Sequence, residues 1–368
     1  MAGRDTEVLV VGGGPAGLAT AIAARRAGLE VLVADRRQPP IDKACGEGLM
    51  PDGLEILRRF GVEIQPRHTR PFRGIRYLDG EVVAEGHFPG VEGAGIRRLH
   101  LHEALVRRAE QLGVDLRWGL RIEGFGDGVE TSEGPIRARW IVGADGLRSK
   151  VRAWMGLSTS AARQKRFGVR RHFRMAPWSD CVEVYWAEDC EAYVTPVADD
   201  EVGVAILWSG CKARFDSLMT RFPGLADQLG DAPPASRDRG MGPLRQRVRG
   251  VIRGQVALVG DASGYVDAIT GEGLSLAFHQ AEALATAMQQ GDLRSYAKAH
   301  RRIAALPDGM TRLLLWVERH PALRRRVVRA LAREPRVFSR LLAVHCRALP
   351  VRRGFETAPR LLWRLVQS

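Results

Sequence analysis

The chain has 368 residues, of which 45% are hydrophobic, and its 56 basic and 42 acidic side chains give a formal net charge of +14. This length and composition suit a folded protein with a large buried core and exclude a disordered chain. The charge excess lies mainly in residues 301–368, where sixteen arginines outnumber four acidic residues, and no nucleic-acid-binding motif accompanies it. Nucleic acid is therefore not an expected partner.

Signals for targeting, disulfides and metals are lacking in the sequence. It contains neither a signal peptide nor an apolar run of about 18 residues, so we expect a cytoplasmic protein. The five cysteines show no C-x-x-C spacing, so neither a disulfide framework nor a metal site is expected.

The N-terminal segment has the pattern of a β-α-β unit. EVLVVG at residues 7–12 predicts a buried strand, PAGLATAIAARRAG has helical spacing, and EVLVAD at 30–35 predicts a second strand. Gly12, Gly14 and Gly17 between them satisfy the G-x-G-x-x-G pattern, in which the backbone approaches a pyrophosphate at a helix N-terminus. Asp35 ends the second strand and can accept hydrogen bonds from a ribose diol. The unit predicts a dinucleotide-binding turn.

Later segments extend this unit and then interrupt it. A helix predicted over 99–113 and strands over 114–118 and 138–145 continue the sheet, and QVALVGDA at 255–262 returns to it before helices from about 271. Between about 165 and 210, the segments FGVRRHF, CVEVYWA, EAYVTPV and EVGVAILW predict an antiparallel block. We therefore predict an α/β fold, in which a doubly wound, Rossmann-like domain carries an inserted antiparallel-sheet substrate domain and a C-terminal helical region. The expected boundaries are 1–75, 95–160 and 250–295 for the dinucleotide-binding domain, 76–94 and 161–249 for the sheet, and 296–368 for the basic helices.

Two later motifs identify the dinucleotide by resemblance. WIVGADGLRSKVR at 140–152 and VALVGDASGYVDAITGEG at 256–273 resemble the Asp-Gly and Gly-Asp motifs of flavoprotein hydroxylases (group A flavoprotein monooxygenases) and their relatives. The resemblance implies bound FAD, with Asp261 on the ribityl chain, Arg98 on its phosphate or ribityl side, and Asp145 at the back of the flavin site. A helix opening at Gly271 and Gly273 would direct its positive end at the isoalloxazine. The expected cofactor-binding residues are Gly12, Gly14, Pro15, Ala16, Gly17, Asp35, Arg36, Gly46, Arg98, Asp145, Gly146, Asp261, Gly271, Gly273 and Leu274.

Two branches of this superfamily compete for the reaction. ACGEG and TGEG resemble the geranylgeranyl reductase branch, yet YVTPV at 193–197 lacks the tryptophan and phenylalanine of that branch's Y-x-W-x-F-P strand. RRHFRMAPWSDCVEVYWAEDCEAYVTPV and KACGEGLMPDG resemble the flavoprotein oxidoreductases that accompany type III polyketide synthases and oxidise phenolic lipids.

The second resemblance favours a monooxygenase that uses NAD(P)H and dioxygen to hydroxylate a phenolic or polyketide-type substrate through a flavin C4a-hydroperoxide. A reductase of C=C bonds in an isoprenoid or lipid is the alternative. A flavin-containing binding protein without turnover is a third interpretation.

The catalytic candidates are Cys45, His172 and Tyr193. His172 is either a base for a phenol or a satisfied surface group. Cys45 is a nucleophile, a proton donor or positioning thiol beside the flavin, or a small residue packed in a glycine-bounded turn, and its neighbour Gly46 favours the last. On the substrate side, aromatic and polar strand residues either line the wall or pack in the core. These candidates are Tyr185, Trp186, Tyr193 and Thr195.

The C-terminal segment combines arginine clusters with apolar residues, as in ALRRRVVRALAREPRVFSRLLAVH. Its helices are predicted to be amphipathic and cationic. They form either a solvated cap over the domain junction or a surface that contacts an anionic membrane or an acidic carrier protein.

Overall fold

The computed structural model describes residues 5–159, 165–350 and 352, so the predicted basic segment beyond 352 lies outside the described residues. The strands are β1 (Thr6–Val11), β2 (Val31–Asp35), β3 (Gly48–Leu49), β4 (Arg70–Phe72), β5 (Gly74–Asp79), β6 (Val82–His87), β7 (Gly93–Gly95), β8 (Asp115–Trp118), β9 (Ile122–Phe125), β10 (Val129–Thr131), β11 (Ala138–Gly143), β12 (Arg166–Arg174), β13 (Cys181–Ala187), β14 (Cys190–Ala198), β15 (Glu201–Ser209), β16 (Arg239–Met241), β17 (Ile252–Arg253) and β18 (Val256–Leu258). The helices are α1 (Pro15–Arg26), α2 (Pro51–Phe60), α3 (Arg98–Gln111), α4 (Lys150–Trp154), α5 (Phe215–Met219), α6 (Pro223–Leu229), α7 (Gly273–Gln290), α8 (Leu293–Glu318), α9 (Pro321–Arg333) and α10 (Pro335–His345).

A six-stranded sheet with the order β17-β18-β11-β1-β2-β8 forms the first layer. All its pairings are parallel except that of β17 with β18. Its central strands are almost continuously apolar because both faces are covered, one by α1, α3 and α7 and the other mainly by the β9–β10 pair and α4. Helix α1 packs against α3 and α7 on one face. This arrangement confirms the predicted Rossmann-like part of the fold.

A seven-stranded sheet with the order β16-β12-β15-β14-β13-β5-β6 forms the second layer. It contains the four strands predicted between 165 and 210, and their pairings with one another are antiparallel. The insertion is not wholly antiparallel, because β5 runs parallel to β13. The predicted segment 76–94 also divides: β5 and β6 join this sheet, whereas β7 joins a three-stranded sheet with β3 and β4.

The C-terminal helices pack on the edge of the second sheet. Both α9 and α10 contact β6, and an apolar cluster joins them to β5 and β13. Phe338 of α10 packs its ring 4.9 Å from that of Tyr77 on β5. These helices thus cover the β6 edge of the second sheet. Within the described part of the chain, no helix has the length and apolar character needed to cross a bilayer.

Candidate active site

The glycine turn between β1 and α1 leaves no room for side chains. A Cβ on Gly17 would lie 1.8 Å from the carbonyl oxygen of Gly12, and one on Gly12, whose φ is +113°, would lie 2.5 Å from the carbonyl oxygen of Ala144. The buried His102 donates from Nε2 to the carbonyl oxygen of Gly13 at 2.8 Å. The turn is therefore fixed in shape, and the N-terminus of α1 faces a cavity.

That cavity has a volume of about 620 Å³ and runs through three regions of the chain. It begins at Gly14 and Pro15 of the glycine turn, passes along the faces of β13 and β14, and reaches α8, α9 and α10. Its far part is lined almost entirely by aliphatic and aromatic side chains. A polar cofactor region is thus continuous with a long apolar region.

Five charged residues line the cofactor end of the cavity: Lys43, Glu47, Arg98, Arg170 and Asp261. Glu47 and Arg170 contact each other, which leaves Lys43, Arg98 and Asp261 for a cofactor. Burial lowers the pKa of Lys43, with a further contribution from the Arg98 charge, and burial raises the pKa of Asp261. The Nε of Arg98 is buried and has no partner among the described residues. Lys43 and Arg98 lack enough nearby carboxylates to balance their charge, and together with the N-terminus of α1 they suit a bound diphosphate. The carboxyl group of Asp261 at the same place suits the hydroxyl groups of a polyol. The residues present therefore suit FAD.

Most of the predicted cofactor residues line this end of the cavity. They are Gly14, Pro15, Ala16, Gly46, Arg98, Gly146, Asp261, Gly271, Gly273 and Leu274. Gly12 and Gly17 do not line the cavity but fix the shape of the glycine turn. The Asp35 carboxylate, also outside the lining, accepts a hydrogen bond from the Gly13 N–H at 2.8 Å. The remaining two do not line the cavity either: Arg36 is exposed, and Asp145 accepts hydrogen bonds from the backbone of Lys150 and Val151 at the start of α4.

A buried ionic network, not predicted from the sequence, supports the loop that contains Cys45. Glu47, in the left-handed region at φ 62°, accepts a hydrogen bond from the Arg98 backbone N–H at 2.8 Å and another from His172 Nε2. It also lies 3.4 Å from the Arg170 guanidinium, which pairs with Asp42 at 2.6 Å. Burial alone would raise the pKa of Glu47, but the hydrogen bond from His172 and the charges of His172 and Arg170 hold it below its usual value. The network joins β12 to the cofactor loop.

His172 belongs to this network and is buried, whereas the sequence suggested either a base for a phenol or a satisfied group at the surface. It is fully buried, and both ring nitrogens have partners: Nε2 contacts Glu47, and Nδ1 lies 2.8 Å from the Ser236 hydroxyl. It does not line the cavity. Its role as a base for a phenol stays a prediction, which a position outside the cavity lining does not favour.

Cys45 does line the cavity. Its Sγ accepts a hydrogen bond from the Glu47 N–H at 3.4 Å. Burial and, to a lesser extent, the Glu47 charge raise the thiol pKa, although Arg98 opposes them. A thiol that stays protonated argues against a nucleophile and leaves the packing and proton-donor roles open.

The predicted substrate wall divides according to the two faces of the sheet. Tyr193 and Thr195 line the cavity, where Tyr193 donates to the carbonyl oxygen of Ile269 at 2.9 Å and Thr195 donates to that of Gly46 at 2.8 Å. Tyr185 is on the opposite face and donates to Glu183 at 2.7 Å. Trp186 shares the cavity face but packs against Tyr77 beyond the lining residues, with ring centroids 5.8 Å apart. The cavity lining thus includes Tyr193 and Thr195 of the four candidates, and the substrate-lining role of each stays a prediction.

A second buried ionic cluster connects the sheet with α8. Arg166 pairs with Glu191, with Asp267 at 2.9 Å and with Glu318 at 3.3 Å. Burial raises the pKa of Glu191 to about 8, helped by the charges of Asp267 and Glu318 and opposed by Arg166. One cation thus holds three carboxyl groups from β14, from the loop before α7 and from the end of α8.

His345, at the end of α10, is a polar cavity residue that the sequence did not single out. Its Nε2 lies 3.3 Å from the carbonyl oxygen of Thr270, and its Nδ1 lies 3.6 Å from a carboxylate oxygen of Glu272. Burial lowers the pKa of His345 and raises that of Glu272 to about 8. A neutral imidazole therefore lies against the backbone that leads into α7.

One group of ligand-type side chains lies outside the cavity. Ligand atoms of Glu85, His87 and Cys181 are within 4.8 Å of one another. Glu85 already pairs with Arg76 and with His87, which accounts for its position without an ion. The absence of a metal site stays a prediction.

Comparisons with known proteins agree with this geometry. The family model of the FAD binding domain matches residues 5–206, more than half of the chain. The menaquinone reductase of Mycobacterium tuberculosis (strain H37Rv) is 27% identical over 323 residues, which cover 78% of each chain. The para-nitrophenol 4-monooxygenase of Pseudomonas sp. (strain WBC-3) is 28% identical over 318 residues, covering 76% of this chain and 77% of that enzyme.

A solved structure supports the same fold. The flavoprotein/dehydrogenase of Cytophaga hutchinsonii has a TM-score of 0.79 at 17% identity, with 93% of this chain and 92% of that chain covered. The predicted α/β flavoprotein fold and the resemblance to flavoprotein monooxygenases and reductases are confirmed. The chain belongs to the FAD binding domain family and is an FAD-dependent oxidoreductase.

Proposed function

We propose that this oxidoreductase is a monooxygenase that hydroxylates a phenolic ring bearing a long apolar chain, with NAD(P)H and dioxygen as co-substrates. The observation that carries the proposal is the continuity of the cavity from the cofactor glycines to α8–α10, with an apolar lining over its far part. A small polar phenol would leave that part empty, whereas an alkyl chain would fill it. The similarity to a para-nitrophenol monooxygenase supports the reaction class.

Each half of the cavity then has its own task. Bound FAD supplies the redox chemistry, since it accepts electrons from NAD(P)H and reacts with dioxygen. Arg98, Lys43 and the N-terminus of α1 would hold its diphosphate, and Asp261 would hold its ribityl chain. Val182 and Val184 of β13 would exclude water from the ring.

His345 is our candidate for orienting the phenolic oxygen. It lines the cavity beside Thr270 and Gly271, next to the start of α7, where the flavin ring is expected. Its contact with the Thr270 carbonyl is long, at 3.3 Å, so the same N–H can turn to a substrate oxygen. We expect His345→Gln to raise KM for the phenol while the FAD content stays close to that of the wild type.

Turnover in ¹⁸O₂ tests the reaction. The purified holoenzyme, NADPH or NADH, and an alkylresorcinol should give a product that contains one oxygen-18 atom. Leu314→Trp and Val327→Trp would fill the far end of the cavity, and we expect loss of activity on long-chain substrates with retention on short-chain ones. Ala322→Trp, at an exposed position of α9 outside the lining, is the matched control. A product that gains two hydrogens and no oxygen would contradict the proposal.

That outcome would instead support reduction of a C=C bond in an isoprenoid or lipid. The specific observation in favour of this second function is the position of the Cys45 thiol, which lines the cavity beside the cofactor loop. Burial raises the pKa of this thiol, so it can hold the proton that such a reduction needs. The 27% identity with a menaquinone reductase agrees with it. Anaerobic turnover with a polyprenyl substrate, lost in Cys45→Ala with FAD retained, would establish it.

A further inference from the structure

The apolar part of the cavity reaches the protein surface on α8. Leu313 and Trp316 both line the cavity, yet their side chains are 56% and 52% exposed. Residues that line a cavity and also face solvent mark an opening. Large hydrophobic side chains this exposed are uncommon in the described part of the chain, so an apolar mouth is a distinct feature of this helix.

Basic side chains flank this mouth on the same exposed arc of α8. Arg312 and Arg319 are exposed, and with a helical period of 3.6 residues they lie next to Trp316, which is four residues from one and three from the other. Asp308 lies 3.7 Å from Arg312, at a largely exposed and therefore weak ion pair.

A further arginine, Arg245 in the loop before β17, lies near enough to Arg312 and Arg319 for their charges to act on it. Burial lowers the pKa of Arg245, and the charges of Arg247, Arg312 and Arg319 lower it further, with Asp267 opposing them in part. Guanidinium groups close enough to repel one another at the surface have an electrostatic reason to bind anions. We call the surface formed by Arg245, Arg312, Leu313, Trp316 and Arg319 the mouth surface.

We propose that the mouth surface docks on an anionic lipid bilayer, with Trp316 and Leu313 inserted at the headgroup level and the arginines on lipid phosphates. Tryptophan prefers this interface because its ring is apolar at one end and polar at the other. The arrangement opens the cavity directly toward the bilayer, so a long-chain substrate would enter without crossing water. This proposal rests on the apolar substrate of the proposed function.

An acidic carrier protein is the competing partner, and two features favour the bilayer. The exposed apolar groups are at the opening itself, where a chain dissolved in a membrane would enter. Leu313 and Trp316 also project from a single helical arc with arginines beside them, the arrangement of helices that lie in a membrane interface.

Vesicle flotation with the full-length holoenzyme tests the proposal without any substrate. Vesicles of phosphatidylglycerol and phosphatidylcholine, mixed 3:7, should bind the protein at low salt, and vesicles of phosphatidylcholine alone should bind it much less. Arg312→Glu with Arg319→Glu should reduce binding to the anionic vesicles at least about tenfold, since each basic residue at the surface contributes substantially. The charge-matched control is Arg58→Glu with Arg121→Glu, whose side chains are 73% and 67% exposed on the cofactor domain.

Insertion of the ring has its own readout. Brominated lipids should quench tryptophan fluorescence of the wild type, and this quenching should fall in Trp316→Phe but not in Trp154→Phe, the exposed tryptophan on α4. Equal vesicle binding by the two charge-reversed proteins would overturn the proposal. So would failure of the wild type to bind vesicles while it binds an acidic carrier protein. The flotation assay contains no substrate, so its result does not depend on the reaction. A protein that binds anionic vesicles but has no oxygenase activity would refute the proposed function and leave the docking proposal standing.

Discussion

The buried carboxylate of Glu47 offers the sharpest test of how the cofactor loop is held. Its side chain is 1% exposed, and those of its partners His172 and Arg170 are 0% and 2% exposed. Removing one member of a buried ion pair leaves the other uncompensated, at a cost of about 3–5 kcal/mol. Glu47→Gln keeps the shape and one acceptor oxygen, so we expect a loss of about 3 kcal/mol in the free energy of unfolding.

Urea denaturation of the FAD-bound protein measures this loss. Glu282→Gln is the matched control, because Glu282 makes a bidentate pair with Arg59 in which both side chains are more than 40% exposed. Exposed pairs contribute about 0–1 kcal/mol. Equal losses in the two variants would refute the claim that the network stabilises the fold.

The loss of stability in Glu47→Gln should depend on pH in a defined direction. The pKa of Glu47 is below its unfolded value of 4.5, so its stabilisation is present above about pH 4.5 and is lost as the pH falls through the lowered folded-state pKa. The difference in stability between wild type and Glu47→Gln should therefore shrink in acid. A difference that stays constant down to pH 3 would show that charge is not its source.

Four further substitutions test the glycine turn, the loop that contains Cys45 and the second ionic cluster. Gly17→Ala should abolish FAD binding, measured by flavin absorbance after gel filtration, because its Cβ would lie 1.8 Å from the Gly12 oxygen. Gly46→Val should weaken FAD binding, whereas Cys45→Ala should retain it. A Cβ on Gly46 would meet no protein atom within 4 Å, so any loss of affinity must come from contact with the cofactor. Unchanged affinity would show that FAD does not approach Gly46. Glu191→Gln should flatten the pH dependence of thermal melting: the pKa of Glu191, raised to about 8 from 4.5, makes wild-type stability fall as pH rises across that interval, and equal slopes would contradict this.

The sequence was sufficient for elements whose signal is local. The strands at 166–174, 181–187, 190–198 and 201–209 follow the predicted segments closely, because alternation and turn residues are encoded within a few positions. The glycine turn was predictable for the same reason. Its requirement for glycine arises from contacts among residues 12–17 and the neighbouring strand.

The ionic networks were not predictable, because they join distant parts of the chain. Glu47 and His172 are 125 positions apart, and the pairing depends on where the cofactor loop crosses β12. The glutamate within ACGEG was visible in the sequence as a possible charged group of the cofactor loop, but nothing in the sequence identified His172 as its partner. Tyr185 is outside the lining for a different reason: adjacent strand residues point to opposite faces, and only the sheet packing decides which face meets the cavity. Trp186 is on the cavity face, but its ring packs against Tyr77 beyond the lining residues.

The cavity wall also sets what kind of selectivity this enzyme can have. Tyr193 and Thr195 already donate to backbone carbonyls, so a charged group on the substrate chain would find few free partners there. Selectivity should then depend on apolar length. Each buried methylene contributes about 0.8 kcal/mol, or roughly a fourfold increase in kcat/KM, until the cavity is full. A series of alkylresorcinols of increasing chain length should follow that slope and then level off, with the break at shorter chains in Val327→Trp than in Ala322→Trp. A flat series would show that the substrate chain does not occupy the apolar half of the cavity.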